Sequence, residues 1–458
     1  MGNILIVPHK TKPAGYLLLF AILISFLIIS YFLPLLSYQE ARRAVIIQES
    51  FLNKSIVPTL NGEPYFTEPP LHIWISFLFY GIAGIFKAEL FGMRLVSIIS
   101  YLLIAYLIYL IQKRDTLKTL LSVLILTSSH SFLSFMYRID IEPLFIFFNF
   151  ASFYFFLQFL EDPRLLRVLQ FYFFFACAFL VRGPLHFFLL PAYFLFLLLQ
   201  KDRKKIFLFM HPACLFLFIG LLIPWFLYGY VKFGKEVFQE FLYKDLGDRL
   251  VAKKEPFYYY FKTYILNWLP ILLLVLFKIK TLREFLKNRT SQLFKVSFLS
   301  VLIPLILLSF TGDKFHKYLL FLYPYSALIF AEILLLLYPP KRLLQIASFI
   351  TLINALVLLI ILFNKLQKVK EDSQILIEAL KGLKEERIVF YEKPNLLLLY
   401  HLKMPIPVVK TKDGVEEALK KGKFVLSPRI IEEMPSYIAV YPDPFKKGSF
   451  WFLYGKME

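Results

Sequence analysis

Uncharged apolar stretches, each close to the ~20 residues that a helix needs to cross ~30 Å of hydrocarbon, recur along this chain. Soluble domains are about half apolar and interrupt such runs more often. Here 59% of 458 residues are hydrophobic, with 53 Phe and 28 Tyr, and the mean hydropathy is +0.64. A soluble globular protein is excluded. The net charge of +20 invites nucleic acid as a partner, but the basic residues sit in short clusters between apolar runs, as loop charges do in a multispanning protein, so no nucleic-acid partner is expected. Cys177 and Cys214 both lie within apolar runs and make no disulfide framework. The first run, Gly15 to Ser37, follows Lys10 and Lys12; it is long, has no small-residue cleavage site and leads into further membrane segments, so it reads as a retained span.

About eleven spans are expected, near 15–37, 93–112, 119–136, 143–160, 165–181, 185–200, 206–230, 263–280, 293–311, 317–337 and 342–364. The loops at 113–118, 201–205, 278–289 and 341–342 carry Lys and Arg on the same side as Lys10 and Lys12, which the positive-inside rule makes cytoplasmic. The opposite side, the periplasm or exterior of a bacterial cytoplasmic (inner) membrane, receives residues 38–92, short turns at 137–142, 182–184 and 312–317, a loop at 231–262, and the tail 365–458. Within the first long loop, the segment 71–86 is too short to span and reads as an interfacial helix, and Gln39 to Asn53 reads as an amphipathic helix on the outer surface. The tail carries short apolar strands at Ile388–Tyr391, Ile406–Val409 and Phe424–Leu426, and a helix over Asp413–Lys420 that begins at an Asp cap. The expected fold is mainly α and polytopic, with a transmembrane domain over 1–364 and a small α/β domain over 365–458; no internal repeat is visible.

Four polar groups mark the outer ends of spans: Gln39 to Arg43, Arg138 to Glu142, Arg182 to Pro184, and Asp313 to Tyr318. Lys232 to Lys262 adds seven basic and five acidic residues. Singly, each reads as a solvated loop end or a structural ion pair. Together they suggest a shared polar cavity, where carboxylates serve as general bases toward a hydroxyl or amine, and Arg or Lys holds a phosphate. At an outer leaflet, the natural phosphate is lipid-linked. No Gly-rich phosphate loop, HExxH, CxxC or GxSxG motif competes, and the histidines make no metal-ligand spacing. His130, inside a span, reads as an interhelical hydrogen-bonding group.

The first loop resembles the membrane-embedded glycosyltransferases of the GT-C type that use polyprenyl-phosphate sugars, in particular the lipid A aminoarabinose transferases and the protein O-mannosyltransferases. The resemblance is carried by Gln39-Glu40-Ala41-Arg42-Arg43-Ala44, Ile56-Val57-Pro58, Asn61-Gly62-Glu63-Pro64-Tyr65-Phe66-Thr67-Glu68-Pro69-Pro70-Leu71 and Arg94-Leu95. It continues in Arg138-Ile139-Asp140, Arg182-Gly183-Pro184, Pro224-Trp225, Phe241 to Leu250, Pro256 to Tyr260, Lys314 to Tyr318 and the tail. It implies a GT-C fold and transfer of a sugar from a polyprenyl-phosphate donor to a lipid (lipid A-like, as in lipopolysaccharide modification) or protein acceptor, with a β-linked donor, inversion and no nucleotide or organic cofactor.

Two departures matter. The family's loop Asp, usually assigned to catalysis, aligns with Gln39, and its Lys, usually assigned to the lipid phosphate, aligns with Glu68. Either the roles have moved to neighbours, or the donor or acceptor differs, or activity is lost. Relocation makes Glu40 and Asp140 the base candidates, with a divalent cation near the two as a further option. It makes Arg42, Arg43, Arg138, Arg182, Lys314, His316 and Tyr318 the donor-binding set, supported in the first loop by Gln39, Tyr65, Glu68 and Pro69. Arg43, where the family has Tyr, points toward an anionic sugar such as a uronic acid. A non-catalytic lipid-phosphate-binding protein and a polyprenyl-lipid transporter or flippase stand as the alternatives; the missing repeat and the one-sided polar groups count against a transporter.

Overall fold

The computed structural model describes residues 14–235, 237, 239, 241, 255–282, 291–381, 387–432, 434 and 437–455. Lys10 and Lys12, most of the basic loop at 242–254, and 283–290 lie outside the described residues. Among the described residues, nine helices are long and apolar enough to cross a membrane: Ala14–Phe32, Glu89–Ile111, Glu142–Glu161, Leu165–Arg182, Arg203–Phe233, Tyr259–Leu276, Gln292–Ser309, His316–Leu337 and Pro340–Ala379. The two remaining expected spans fall on shorter apolar helices, Thr116–Thr127 and Pro184–Gln200. The chain is an integral membrane protein with a strand-containing C-terminal region.

In chain order the elements that matter below are α1 (Ala14–Phe32), α2 (Tyr38–Leu52), β1 (Thr59–Leu60), β2 (Glu63–Pro64), α3 (Leu71–Gly84), α4 (Glu89–Ile111), α5 (Thr116–Thr127), α6 (His130–Leu133), α7 (Glu142–Glu161) and α8 (Leu165–Arg182). Contacts divide the chain into two compact units that do not follow chain order. One comprises Met1–Leu27, Ile98–Tyr137 and Ile141–Leu358; the other comprises Ile28–Ser97, Arg138–Asp140 and Leu359–Glu458.

The larger unit is a helical bundle with an aromatic core. Phe153 stacks edge-on against Tyr325 at 4.7 Å, Phe156 lies 4.6 Å from Tyr193, and the two tyrosine hydroxyls are 3.2 Å apart. Such rings bury large apolar areas while the hydroxyls find each other instead of lipid. His130 is hydrogen-bonded to Asn354 at 3.1 Å, the interhelical role its position suggested.

In the smaller unit the tail forms a five-stranded sheet of order β4-β3-β5-β7-β6, from β3 (Ile388–Tyr391), β4 (Val408–Val409), β5 (Phe424–Ser427), β6 (Ala439–Pro442) and β7 (Phe450–Tyr454). β3 pairs in parallel with β4 and β5, whereas β7 runs antiparallel to β5 and β6. The sequence pattern locates β3, β4 and β5; β6, β7 and the helix Leu396–Leu402 are additions. The helix Lys412–Lys420 begins one residue before the expected Asp413, and its cap is Thr411, whose hydroxyl accepts from the Gly414 N–H.

One apolar core joins the first long loop to this tail: Ala41, Ala44, Val45, Ile47, Tyr65, Ile73 and Met93 pack with Ile388, Phe390, Leu396–Leu399, Leu426 and Leu453. α2 is therefore enclosed far more than a helix resting on a membrane surface, because its apolar positions are covered and its polar ones are paired. Gln48 reaches the Tyr80 hydroxyl at 3.5 Å, and Glu49 accepts from Thr59 Oγ1 and from the N–H groups of Asn61 and Gly62. Those two residues turn the β1–β2 hairpin with φ of 55° and 80°, the left-handed pair that Asn-Gly adopts readily. The turn then clasps the tail: Asn61 Nδ2 donates to the Ile406 carbonyl and Asn61 Oδ1 accepts from the Ile406 N–H, both at 2.8 Å. Asn61→Ala removes both bonds and is expected to destabilise the unit by about 1–3 kcal/mol, read as a lowered melting temperature of the detergent-purified protein.

Candidate functional site

Charge in the smaller unit is organised from the start of α2. Ser37 caps the helix, and Glu40 follows in its first turn. Glu40 is only 2% exposed. Its Oε1 accepts from Arg94 Nε at 3.0 Å and from the Ile139 N–H at 3.3 Å, and its Oε2 accepts from the Leu36 N–H at 2.9 Å. Arg94, on α4, spends its remaining donors on the carbonyls of Ser30, Leu33 and Pro34, at and just beyond the end of α1. These carbonyls lack helical partners, and a guanidinium suits them by charge and by geometry. Glu40 is thus a strut: its carboxylate is filled by protein donors.

One turn further, Arg42 Nη2 and Arg43 Nη2 both lie 3.1 Å from Glu68 Oε1, and Arg43 Nη1 lies 3.3 Å from Asp140 Oδ2. The result is a chain of alternating sign, Arg42–Glu68–Arg43–Asp140. Arg43 is buried, and although burial works against its charge, Asp140 and Glu68 outweigh that and hold it more firmly protonated than usual. Its charge is met by two carboxylates of its own chain, which removes the support it gave to an anionic sugar. The side chains of Arg42, Glu68 and Asp140 keep 19%, 15% and 10% of their surface, against 1% for Arg43.

Asp140 is held from its backbone as well. Ser97 Oγ donates to the Arg138 carbonyl at 2.6 Å, and the Ile139 N–H is the one bound to Glu40. Tyr65 lies under Arg42, with the guanidinium carbon 5.7 Å from the ring centre, and burial followed by Glu68 pushes its hydroxyl above the usual range. His72, at the start of α3, is buried. Burial first, then Arg43, lowers its pKa from 6.5 to about 4, although Glu68, Asp140 and the Asp140 backbone pull the other way. Gln39 is exposed, Pro69 is buried and Arg138 is half-buried.

The larger unit holds a second cluster. α8 ends at Arg182, and Gly183 follows with φ of 82°, where a Cβ would come 3.2 Å from Phe241 Cζ. Arg182 is 6% exposed; its guanidinium carbon lies 4.8 Å from the Tyr318 ring centre and 5.4 Å from that of Phe145, and it is ion-paired with Glu142. Lys317 Nζ lies 3.9 Å from the same carboxylate. Lys314 instead gives its ammonium to the carbonyls of Thr311 at 2.6 Å and Glu255 at 3.3 Å. His316 is exposed, 6.2 Å from the Phe135 ring.

Of the residues singled out in the sequence, Glu40, Arg42, Arg43, Tyr65, Glu68 and Asp140 are brought together in one unit, and Arg182 and Tyr318 in the other. Arg94, His72, Glu142 and Lys317 were not assigned roles. Arg94 was visible in the Arg94-Leu95 pair, and Glu142 two positions after Asp140, but a pattern does not say which carboxylate meets which cation. Among the described residues no three His, Cys, Asp or Glu side chains assemble into a metal-binding group, and Glu40 and Asp140 each already face an arginine.

Residues 67–228 match the family model for dolichyl-phosphate-mannose-protein mannosyltransferase. Two uncharacterized proteins of Aquifex aeolicus (strain VF5) are 28% identical to the chain, over 65% of it and 58% of the first relative, and over 82% of it and 82% of the second. The chain thus spans somewhat over half the length of the first relative. The crystal structures of ArnT from Cupriavidus metallidurans, bound to undecaprenyl phosphate and in the apo state, superpose with TM-scores of 0.77 and 0.76 at 13% identity, covering 97% of this chain and 98% of theirs.

Arg94→Met leaves Glu40 charged and unpaired in the interior, so a loss of about 3–5 kcal/mol is expected, measurable by thermal unfolding in detergent. His72 adds a pH dependence. Between pH 6.5 and about 4 the unfolded chain binds a proton at His72 that the folded chain refuses, so stability falls as pH drops. The contribution is complete above pH 6.5 and its loss amounts to about 3 kcal/mol by pH 4. Melting temperatures compared at pH 7 and pH 5 should drop further in the parent protein than in His72→Gln.

Proposed function

We propose that this chain, a membrane protein with the GT-C fold, is a glycosyltransferase that takes a sugar from a polyprenyl-phosphate donor and passes it to a lipid or protein acceptor. The fold likeness to ArnT along nearly the whole chain supports the class of reaction. The observation that carries the site assignment is Asp140: a carboxylate whose side chain keeps 10% of its surface, oriented by Arg43 and following Arg138 and Ile139, whose backbone is held by Ser97 and Glu40.

In this reading Asp140 takes the proton from the acceptor hydroxyl or amine as that atom attacks the anomeric carbon. The bond between the anomeric carbon and the phosphate oxygen breaks, and its electron pair leaves on the lipid phosphate. Arg182 and Lys317, in the larger unit, form a separate cationic group, and the flat guanidinium of Arg182, flanked by Phe145 and Tyr318, suits phosphate oxygens. Arg42, at the exposed end of its cluster, is the cation there that a donor headgroup can reach. Glu40 passes from base to positioning residue, because it is buried and both its oxygens accept from donors of the fold. The route draws on side chains alone. The distribution of Lys and Arg between the apolar segments supports a reaction on the outer face of a bacterial cytoplasmic membrane.

Transfer or hydrolysis of a panel of polyprenyl-phosphate sugars by the detergent-purified protein tests this. Asp140→Asn is expected to lower turnover by roughly 10²–10⁴-fold with its fold intact. Turnover that persists in Asp140→Asn would remove Asp140 as the base. Binding of the lipid phosphate without turnover of any sugar would favour a non-catalytic lipid-phosphate-binding protein.

A further inference from the structure

The last of the membrane helices is far longer than a bilayer core is thick: it runs from Pro340 to Lys381, 42 residues that rise about 63 Å. From Leu343 to Phe363 it carries no charged residue, a rise of about 31 Å that matches the hydrocarbon. Lys341 and Arg342 bound that stretch at one end and Lys365 at the other. Lys365 therefore lies at the depth of lipid phosphates. From Leu359 onward the helix belongs to the smaller unit, with Glu40, Arg138 and Asp140.

The turn of the helix puts Leu362, Lys365, Val369, Ser373 and Leu376 on one face. The other four are buried, and Leu376 packs in the same core as Ala41 and Ile139, but Lys365 stays exposed. Ile360 and Phe363, on the opposite face, are exposed, as lipid-facing residues are. Lys365 thus stands on the protein-facing side, so reaching out to bulk headgroups does not account for it. Its ammonium is within electrostatic reach of Arg138 and Glu40. The Glu40 oxygens already accept from Arg94, Ile139 and Leu36, and among the described residues Lys365 makes no hydrogen bond or ion pair. A cation on an inner face with no carboxylate bonded to it suits an anion brought from outside.

We infer that Lys365 is a ligand of the donor's lipid phosphate, holding it beside the 138–140 strip that ends in Asp140. The inference rests on the glycosyl-transfer reading and adds to it a residue far from the first loop. When the bond from the anomeric carbon to the phosphate oxygen breaks, the electron pair passes to that oxygen, and the ammonium offsets the growing charge.

The test is binding of undecaprenyl phosphate, and of undecaprenol, which lacks the phosphate, to the full-length protein in detergent. Lys365→Gln should weaken the phosphate lipid roughly tenfold and leave undecaprenol within about threefold, with Lys365→Arg close to the parent. Lys370→Gln, on the far side of the same helix, should change neither. Equal losses for both lipids in Lys365→Gln, or an equal loss in Lys370→Gln, would overturn the inference. The parent protein gives a second reading: undecaprenyl phosphate, and not undecaprenol, should shield Lys365 from an amine-specific reagent, and no shielding would overturn the inference even if Lys365→Gln does not fold. A parent that binds and shields but transfers no sugar would sink the glycosyl-transfer reading and leave the contact standing.

Discussion

The buried pair between Glu40 and Arg94 is what the smaller unit is organised around. A lone charge at either position would cost several kcal/mol. Together they tie down four pieces of backbone: the end of α1 through Arg94, the start of α2 through Glu40, α4 that carries Arg94, and the 138–140 strip through Ile139. The desolvation cost is offset because the donors of Arg94 and the oxygens of Glu40 find partners. Such a pair adds little net stability, but it fixes where the next residues lie, and those residues include Asp140, the base of the proposed reaction.

Arg42, Glu68, Arg43 and Asp140 extend that logic outward. Alternation of sign lets two arginines and two carboxylates sit close together, with the most enclosed member, Arg43, answered on both sides. Glu68, at a position where a phosphate ligand would be cationic, does not confront a phosphate alone: two guanidiniums hold it. In the glycosyl-transfer reading proposed above, α2 supplies a cation and the acid at 68 positions it.

Membrane character and most span positions were legible because hydrocarbon thickness and helical rise leave few ways to read a long apolar run. The strands Ile388–Tyr391 and Phe424–Ser427 were legible for a similar reason, being short, β-branched or aromatic, and bounded by polar residues. β6 and β7 were not: Phe450–Tyr454 is set by pairing with β5 and Ala439–Pro442 by pairing with β7, a tertiary fact. At the candidate site, the first loop's motif named residues that the structure brings together in one unit. It could not separate Glu40 from Asp140, since the difference lies in Arg94, fifty-four positions away, and in the backbone donors it leaves to Glu40. His72 and Glu142 were hidden likewise, because burial and pairing, not identity, make them unusual.

The clasp between Asn61 and Ile406 joins segments 345 positions apart, and the core around it draws on residues from Leu35 to Leu453. Contacts so distant in sequence close late, after the intervening chain exists. During synthesis α2 therefore waits, its apolar face uncovered, while all the later helices are made. The helix bearing Arg42 and Arg43 gains its full cover only when the last strands arrive, so the charged surface it carries is among the last parts of the molecule to mature.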